Sequence, residues 1–304
     1  MKKSETLVMV VYYKGAERYA SDYFKSIENQ STKQFDLLII YDNVASFKIS
    51  GLNVSINEIL ISERKKPSMI RLDGMRYALK NDYRNLIFSD IDDYFSNNRI
   101  SLSVRELEEY SFVFNEISLI NQNGGLLKEN YLHQISVLKY VDSFSHILDY
   151  NCLGLTHTGV NLELIDNFYI PEDIIAVDWW VFTILLLNGA TGKYVDNATT
   201  YYRQSDNNMV GMNKLLDVNR LETGIKVKLI HYDNVMNYCN ENNLHTAYEE
   251  YSQKKNKINQ LKSAIHDKGF CEKYIETVNM NMNKIYKGWW SEILTLDDWR
   301  TYER

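Results

Sequence analysis

The motif Asp90-Ile91-Asp92-Asp93 brings three carboxylates together in a short stretch of chain. Carboxylates repel the phosphates of a nucleotide diphosphate unless a hard divalent cation such as Mg²⁺ or Mn²⁺ bridges the two. Aspartates at positions i and i+2 can hold such a cation, one directly and one through a water molecule. The motif therefore predicts Asp90 and Asp92 as metal ligands. A motif this short also fits aspartates that cap a helix or face solvent.

A second acidic side chain with potential chemistry is Asp178, which directly precedes Trp179 and Trp180. The apolar run 181–187 predicts a helix, so Asp178 is expected near the amino end of that helix. A carboxylate held in place can act as a general base that takes the proton from an attacking hydroxyl group. The alternative is an aspartate that caps the helix beside tryptophans of the core.

The elements that would position these residues are buried strands alternating with amphipathic helices. Such alternation predicts a parallel sheet, which binds ligands at the carboxyl ends of its strands. That edge is where Asp42 and the acidic motif fall. The predicted strands cover residues 7–13, 35–41, 85–89 and 111–120, and the predicted helices cover residues 16–27, 72–79 and 181–187.

Composition and charge limit the possible functions. The chain has 304 residues, 45% of them hydrophobic, and a formal net charge of −6, which argues against nucleic acid as a partner. No cleavage site follows the short apolar segment at the start, and no apolar run approaches the roughly 20 residues that a membrane span needs. We therefore expect a cytoplasmic protein. The 3 cysteines are far apart and are predicted to be buried, unreactive thiols.

Several motifs in order resemble the inverting family 2 glycosyltransferases of the GT-A fold, over residues 6–211. Arg71-Leu72-Asp73-Gly74 is similar to the family's Ala-Arg-Asn-x-Gly helix, and the acidic motif is similar to its Asp-x-Asp-Asp metal loop. The other matching segments are Val10-Val11-Tyr12-Tyr13, Ser26-Ile27-Glu28-Asn29-Gln30-Ser31, Leu38-Ile39-Ile40-Tyr41-Asp42-Asn43 and the run from Tyr201 to Gly211.

The resemblance implies a mixed α/β sheet flanked by helices and a nucleotide-sugar donor bound with Mn²⁺ or Mg²⁺. It implies a nucleobase contact for Asp42, with Asp90 and Asp92 at the ribose and the metal-bound diphosphate. Asp178 would be the catalytic base, and Trp179 and His157 would face the acceptor, although both also fit structural roles. The residues expected to bind the donor are Tyr12, Tyr13, Asp42, Arg71, Asp90, Ile91 and Arg203.

The sequence departs from the family pattern at several positions. Lys14-Gly15 replaces the usual residues after the first strand, and Leu72 replaces the asparagine that follows the family's arginine. In the segment expected to close over the diphosphate, Ser205 stands where the family has a histidine. If that histidine is a metal ligand in the family, Asp206 or water would substitute for it here, or the metal site would be weaker. These departures leave the donor open among UDP-, dTDP- and GDP-sugars.

The predicted organisation is a GT-A domain over residues 1–224, followed by a helical appendage over residues 225–304. Residues 1–98 would form the nucleotide-sugar half and residues 99–224 the acceptor half. The aromatic cluster around Trp289, Trp290 and Trp299 is expected to pack on the chain or to form an oligomer contact. A lipid-linked acceptor would also bring the protein to the inner face of the cytoplasmic membrane.

The resulting hypothesis is transfer of a sugar to a hydroxyl group of a glycan or lipid-linked saccharide, with inversion. One alternative is a sugar nucleotidyltransferase, which would need a glycine-rich basic loop after the first strand; residues 14–18 match that only faintly. Another is a non-catalytic carbohydrate-binding or scaffold protein with the same fold.

Overall fold

The computed structural model describes residues 3–47, 49, 51–135, 137–204 and 215–303. The chain divides into two compact units, each built from several stretches of sequence. The first unit contains residues 1–142, 153–172 and 190–205, and the second contains residues 143–152, 173–189 and 206–304. The predicted boundary at residue 224 stays a prediction.

The first unit is built on a mixed β-sheet with strand order β3-β2-β1-β4-β9-β6-β10-β5, and β7 and β8 pair with β6 and β10. Strands β1, β2, β3 and β4 run parallel, β6 and β10 are parallel to each other, and β9 is antiparallel to both of its neighbours. The strands are β1 Thr6–Tyr13, β2 Asp36–Asp42, β3 Ser55–Ile61, β4 Asn85–Phe88, β5 Tyr94–Phe95, β6 Phe112–Ile120, β7 Leu126–Lys128, β8 Tyr140–Val141, β9 Thr158–Asn161 and β10 Gly192–Arg203.

The helices of the first unit flank this sheet. They are α1 Glu17–Glu28, α2 Pro67–Lys80, α3 Arg99–Glu106 and α4 Tyr131–Gln134, with short 3₁₀ helices at Leu155–His157 and Leu162–Leu164. The apolar stripe of α1 buries Tyr23 and Ile27 against alternate residues of β1 and β2, such as Val8 and Ile39. Pro67 begins α2, where its missing N–H has no helical partner to lose.

The second unit is helical in the part of the chain that the structure describes. It contains α5 Val177–Leu187, α6 Val218–Glu241, α7 His245–Ala264, α8 Lys268–Met280, α9 Met282–Ile285 and α10 Leu296–Arg300, with a 3₁₀ helix at Phe144–Ile147. The side chains of Trp289, Trp290 and Trp299 are buried in this unit. Trp299 stacks on Tyr274 with the ring centroids 5.9 Å apart, so the aromatic cluster packs within the chain.

The predicted strands and helices are present, but strands β5, β7, β8, β9 and β10 were not predicted. β3 was not predicted, because it is an edge strand whose exposed and half-buried side chains leave no continuous apolar run. Gly224 lies inside α6 rather than before it. A Cβ at this position would lie 2.6 Å from Ile293 Cδ1, so only a glycine allows this close packing. No helix within the described ranges is both long and apolar enough to cross a membrane. All three cysteines are buried, as predicted.

Candidate active site

The acidic motif lies directly after β4, at the carboxyl edge of the parallel part of the sheet. Ser89 anchors the strand end: its N–H and its hydroxyl group both donate to the Met9 carbonyl oxygen, at 3.0 and 2.8 Å. The buried Tyr23 hydroxyl group lies 2.8 Å from Ser89 Oγ. These bonds fix the point from which Asp90 and Asp92 project, because the strand can neither slide nor fray there.

Arg71 of α2 contacts the motif directly. Its Nη2 donates to Asp90 Oδ1 over 2.8 Å, and both side chains are about three-quarters buried. Burial, and next the charge of Asp90, raise the pKa of Asp92 to about 6, while the charges of Arg71 and Arg203 oppose this shift. Two neighbouring carboxylates provide the hard anionic oxygens that a divalent cation prefers.

Gly74 explains how α2 brings Arg71 to the sheet. An ideal Cβ at this position would lie 2.6 Å from Ile40 Cδ1 and closer still to the sulfur of Met9, so any larger residue would push the helix away. Close packing of α2 on the sheet thus explains the glycine at position 74, one helical turn after Arg71. The same glycine is part of the family resemblance.

Tyr13 and Asp42 end the neighbouring strands β1 and β2 and are paired in register. Burial, and next the charges of Asp92 and Asp90, raise the pKa of Tyr13. The structure therefore brings Tyr13, Asp42, Arg71 and both predicted metal ligands to one edge of the sheet. Asp42 is half-buried.

Two other predicted donor-binding residues are core side chains. Tyr12 packs against Tyr41 and Phe47, with ring centroids 5.8 and 4.9 Å apart, and Ile91 is fully buried. Their backbone groups remain at the edge where Asp90 and Asp92 lie, so a donor contact through Ile91 would be made by its main chain. Their roles toward a donor stay predictions.

Arg203, at the end of β10, is held by groups of the protein. Its Nε donates to the Asp92 carbonyl oxygen at 2.7 Å, and its Nη2 donates to the Asp22 carboxylate at 2.8 Å. Its side chain is only 2% exposed. This arginine thus contacts the main chain of the acidic motif, whereas its predicted contact with the donor stays a prediction. The segment that follows, including Ser205 and Asp206, lies outside the described residues.

Asp178 is in the first turn of α5, as predicted, and its Oδ1 accepts the N–H of Trp179 at 2.8 Å. Trp179 is fully buried, with its Nε1 donating to Ile147 O at 2.6 Å and its ring stacked on His231 at 4.0 Å between centroids. These contacts are those of a core residue and favour the packing interpretation of Trp179. His157, in the first unit, is also fully buried.

Sequence interpretation missed Arg99, a fully buried guanidinium beneath the acidic motif. Its Nη2 donates to Phe88 O at 2.8 Å and its Nε donates to Asn115 Oδ1 at 2.9 Å. Burial lowers its pKa to about 10, and the charges of Tyr23, Asp93 and Asp90 oppose that shift. A buried cation below a cluster of carboxylates stabilises that cluster. The only signal in the sequence was an arginine in an otherwise amphipathic helix, which is usually a solvated charge.

The donor set of the acidic motif fits a divalent cation that is shared with a ligand. Among the described residues, no group of three or more His, Cys, Asp and Glu side chains could hold a metal by itself. Mg²⁺ commonly binds through one or two carboxylates together with substrate phosphates, so Asp90 and Asp92 are a sufficient protein contribution.

A cavity of about 600 Å³ opens at the opposite edge of the sheet, near the amino ends of β1, β2 and β4. Asp36 and Asn85, at the starts of β2 and β4, are among the residues that line it. The acidic motif follows the other end of β4. The acidic and basic side chains that line this cavity are equal in number, three of each. We assign the candidate active site to the acidic edge, because adjacent carboxylates there are suited to a divalent cation.

No family model and no curated protein matches this sequence. Among solved structures, the chain resembles S. aureus TarS 1-349 with 16% identity and a TM-score of 0.54, covering 98% of this chain and 90% of that one. The structure of TarS 1-349 in complex with UDP-GlcNAc matches with 17% identity and a TM-score of 0.51, covering 75% of this chain and 66% of that one. The structure in complex with UDP matches with 18% identity, a TM-score of 0.51 and coverages of 76% and 65%.

In the two complexes the match thus spans just under two thirds of the TarS chain. At these identities the likeness concerns the fold, which is the mixed sheet flanked by helices described above. The chain therefore has the GT-A type of α/β fold that the sequence predicted.

Proposed function

We propose that this protein is a glycosyltransferase that moves a sugar from a nucleotide-diphosphate donor to a hydroxyl group of a glycan or lipid-linked saccharide. The observation that carries the proposal is the grouping of Asp90, Asp92 and Arg71 beside Tyr13 and Asp42 at the carboxyl edge of the sheet. In α/β sheets of this kind ligands bind at that edge. The fold match to TarS, which was solved with UDP and with UDP-GlcNAc, supports a nucleotide-sugar donor.

The proposed metal ligands are Asp90 and Asp92. Asp92 would bind the metal directly, and Asp90 would also contact the ribose. A divalent cation bound there would neutralise the charge of the diphosphate leaving group. Arg71 offsets the charge of Asp90 through its ion pair. Asp42 would accept hydrogen bonds from the nucleobase. Tyr13 is paired with Asp42 in register and is close enough to Asp90 and Asp92 to feel their charges.

The proposed reaction is a direct displacement at the anomeric carbon. The acceptor hydroxyl oxygen forms a bond to that carbon while the bond to the diphosphate oxygen breaks, and the acceptor proton passes to the Asp178 carboxylate. A single base is enough for transfer with inversion. The support for this role is the resemblance to family 2 enzymes and the position of Asp178 in the first turn of α5.

Within this proposal, the protein acts in the cytoplasm, at the inner face of the membrane when its acceptor is lipid-linked. Peripheral membrane contact, a homo-oligomer through the C-terminal helices, and acceptor contacts by His157 and Trp179 stay predictions.

A thermal-shift screen tests donor binding. UDP, GDP, dTDP and CMP are each added with and without Mn²⁺, and we expect one diphosphate to raise the unfolding temperature only when the metal is present. Saturation at one hundred times Kd stabilises the native state by about 2.7 kcal/mol. Asp92→Asn should abolish the metal-dependent shift, and Asp166→Asn, an exposed control, should retain it. No shift with any ligand would favour the carbohydrate-binding alternative.

Replacing Asp178 by Asn tests the base. The variant should bind the donor as the wild type does but lose turnover by a factor of about 100 or more, because no group takes the acceptor proton. Unchanged turnover would refute the role of Asp178 while leaving donor binding intact.

A further inference from the structure

We propose that Asp93 and Arg203 are positioning residues that hold the metal-binding loop in place, and that neither is a ligand of the metal or of the donor. The inference rests on the proposed function, because it concerns how the loop that carries Asp90 and Asp92 is held. It differs from the sequence prediction, which placed Arg203 at the donor and gave Asp93 no separate role.

Asp93 is the buried carboxylate of the acidic motif. The residue is 1% exposed. Its Oδ1 accepts the backbone N–H of Arg203 at 2.8 Å, and its Oδ2 accepts the hydroxyl group of Thr156 at 2.5 Å. Both carboxylate oxygens are thus bonded to the protein, one to the end of β10 and one to the 3₁₀ helix Leu155–His157.

Arg203 holds the same loop through its side chain. Its guanidinium donates to the Asp92 carbonyl oxygen at 2.7 Å, to the Gln122 carbonyl oxygen at 2.9 Å and to the Asp22 carboxylate at 2.8 Å. It lies 4.9 Å from the ring centroid of Tyr19. Because its three partners belong to different segments, the guanidinium links the loop to α1 and to the turn after β6.

Together the two residues form a clamp, which ties the loop to the end of β10 at two points. Asp93 is bonded to the Arg203 main chain, and the Arg203 side chain is bonded to the Asp92 main chain. The consequence is that the main chain at Asp92 is held in place, which restricts the positions that its carboxylate can reach. Groups that orient metal ligands in this way commonly change metal affinity by 10- to 100-fold when they are removed.

The clamp makes a prediction that separates positioning from ligation. In Asp93→Asn the amide oxygen still accepts from the Arg203 N–H, and the amide NH₂ donates to Thr156 Oγ1, which accepts equally well. The geometry survives although the charge is lost. If Asp93 were a metal ligand, this change would weaken metal binding, because a neutral amide oxygen attracts a divalent cation less strongly than a carboxylate does.

The test is titration of the full chain with Mn²⁺ in the presence of the diphosphate that the thermal-shift screen identifies. The concentration of free Mn²⁺ is measured by its electron paramagnetic resonance signal. We expect Asp93→Asn to keep the Mn²⁺ Kd within threefold of wild type, whereas Asp93→Ala raises it about 10- to 100-fold and Asp92→Asn at least tenfold. Thr156→Val removes a single bond of the clamp and should raise the Mn²⁺ Kd by several-fold. This variant replaces Asp93→Ala in the test if Asp93→Ala does not fold. Circular dichroism verifies that each variant is folded at the titration temperature.

Each outcome has a distinct meaning. If Asp93→Asn loses Mn²⁺ as Asp92→Asn does, Asp93 is a ligand and the positioning role is overturned. If Asp93→Ala and Thr156→Val both bind Mn²⁺ as wild type does, the clamp does not orient the loop. If the wild type binds no Mn²⁺ even with the diphosphate present, the metal chemistry of the proposed function fails, and the positioning role fails with it.

Discussion

The guanidinium of Arg71 lies 2.8 Å from the carboxylate of Asp90, and this pair links helix α2 to the acidic motif. Arg71 therefore does two things: it offsets the charge of Asp90, and it brings a positive charge to the edge where a diphosphate would bind. An arginine in a helix is usually a solvated charge, but this one is about three-quarters buried.

Replacing Arg71 by Met should weaken binding of the diphosphate identified in the thermal screen by about tenfold, or about 1.4 kcal/mol. The reason is that Asp90 loses its partner and the phosphates lose an attractive charge. Isothermal titration calorimetry in Mn²⁺ measures the effect. Arg76→Met, an exposed arginine on the same helix, is the matched control. Equal affinities for the two variants would contradict a role for Arg71.

Replacing Gly74 by Ala should destabilise the protein by about 1 to 3 kcal/mol, because the added methyl group overlaps Ile40 and Met9 in a filled core. Thermal unfolding measures the change. Gly269→Ala is the control, since its Cβ would meet only Asp267 Oδ1 at 3.4 Å and alanine favours the helix. A drop for Gly269→Ala as large as that for Gly74→Ala would show that helix packing on the sheet is not the cause.

His231 should make the protein sensitive to acid. Burial, and next the charge of Lys228, lower the pKa of His231 to about 3, so the folded chain keeps this ring neutral where the unfolded chain protonates it. Its stabilising contribution is present above pH 6.5 and is lost as the pH falls toward 3. A single such group removes about 1.4 kcal/mol per pH unit below 6.5, or about 2 kcal/mol at pH 5.

The measurement is the free energy of unfolding by urea at pH 7 and pH 5. His231→Phe keeps a ring against Trp179 but cannot titrate, so its stability should fall less over this interval than that of wild type. Lys228, whose pKa burial lowers to about 8, remains protonated in both states below pH 7 and adds nothing to the difference. The exposed His245→Gln is the control, and a flat wild-type profile would disprove the buried neutral ring.

The three cysteines should react slowly with a thiol reagent in the native protein. Burial raises the pKa of Cys152 to about 12 and that of Cys239 to about 11, and it also raises the pKa of Cys271, so little reactive thiolate forms at neutral pH. A colorimetric thiol assay at pH 8 should detect well under one group per chain in buffer and all three in guanidinium. Rapid reaction of a native thiol would mean that its surroundings open readily.

The sequence was sufficient for the parts of the fold in which apolar periodicity is strong. The buried runs of β1, β2 and β4 and the stripe of α1 were predicted, because a strand buried on both faces or an amphipathic helix leaves a pattern in the residues themselves. β3 was missed because an edge strand is half solvated, and its Ser55, Asn57 and Glu58 break that pattern.

Within the site, the position of Asp90 and Asp92 followed from their place after a predicted strand. The clamp around Asp93 and Arg203 did not, because it joins residues on β10 and on the loop after β4 that are far apart in sequence. Arg99 is a similar case: nothing in the residues beside it indicates that Asn115 and the Phe88 carbonyl oxygen surround it. Such long-range partners depend on the tertiary fold.

The pairing of β6 with β10 has a consequence for how the chain is made. β6 is buried over its whole length and pairs in parallel with β10, which begins only at Gly192. Until the ribosome has released that strand, β6 has an unpaired edge rich in Phe, Val and Ile, the kind of edge that recruits other chains. Contacts so distant in sequence also slow folding. Synthesis of this protein therefore passes through an aggregation-prone stage, during which a chaperone that binds extended apolar segments would raise the yield.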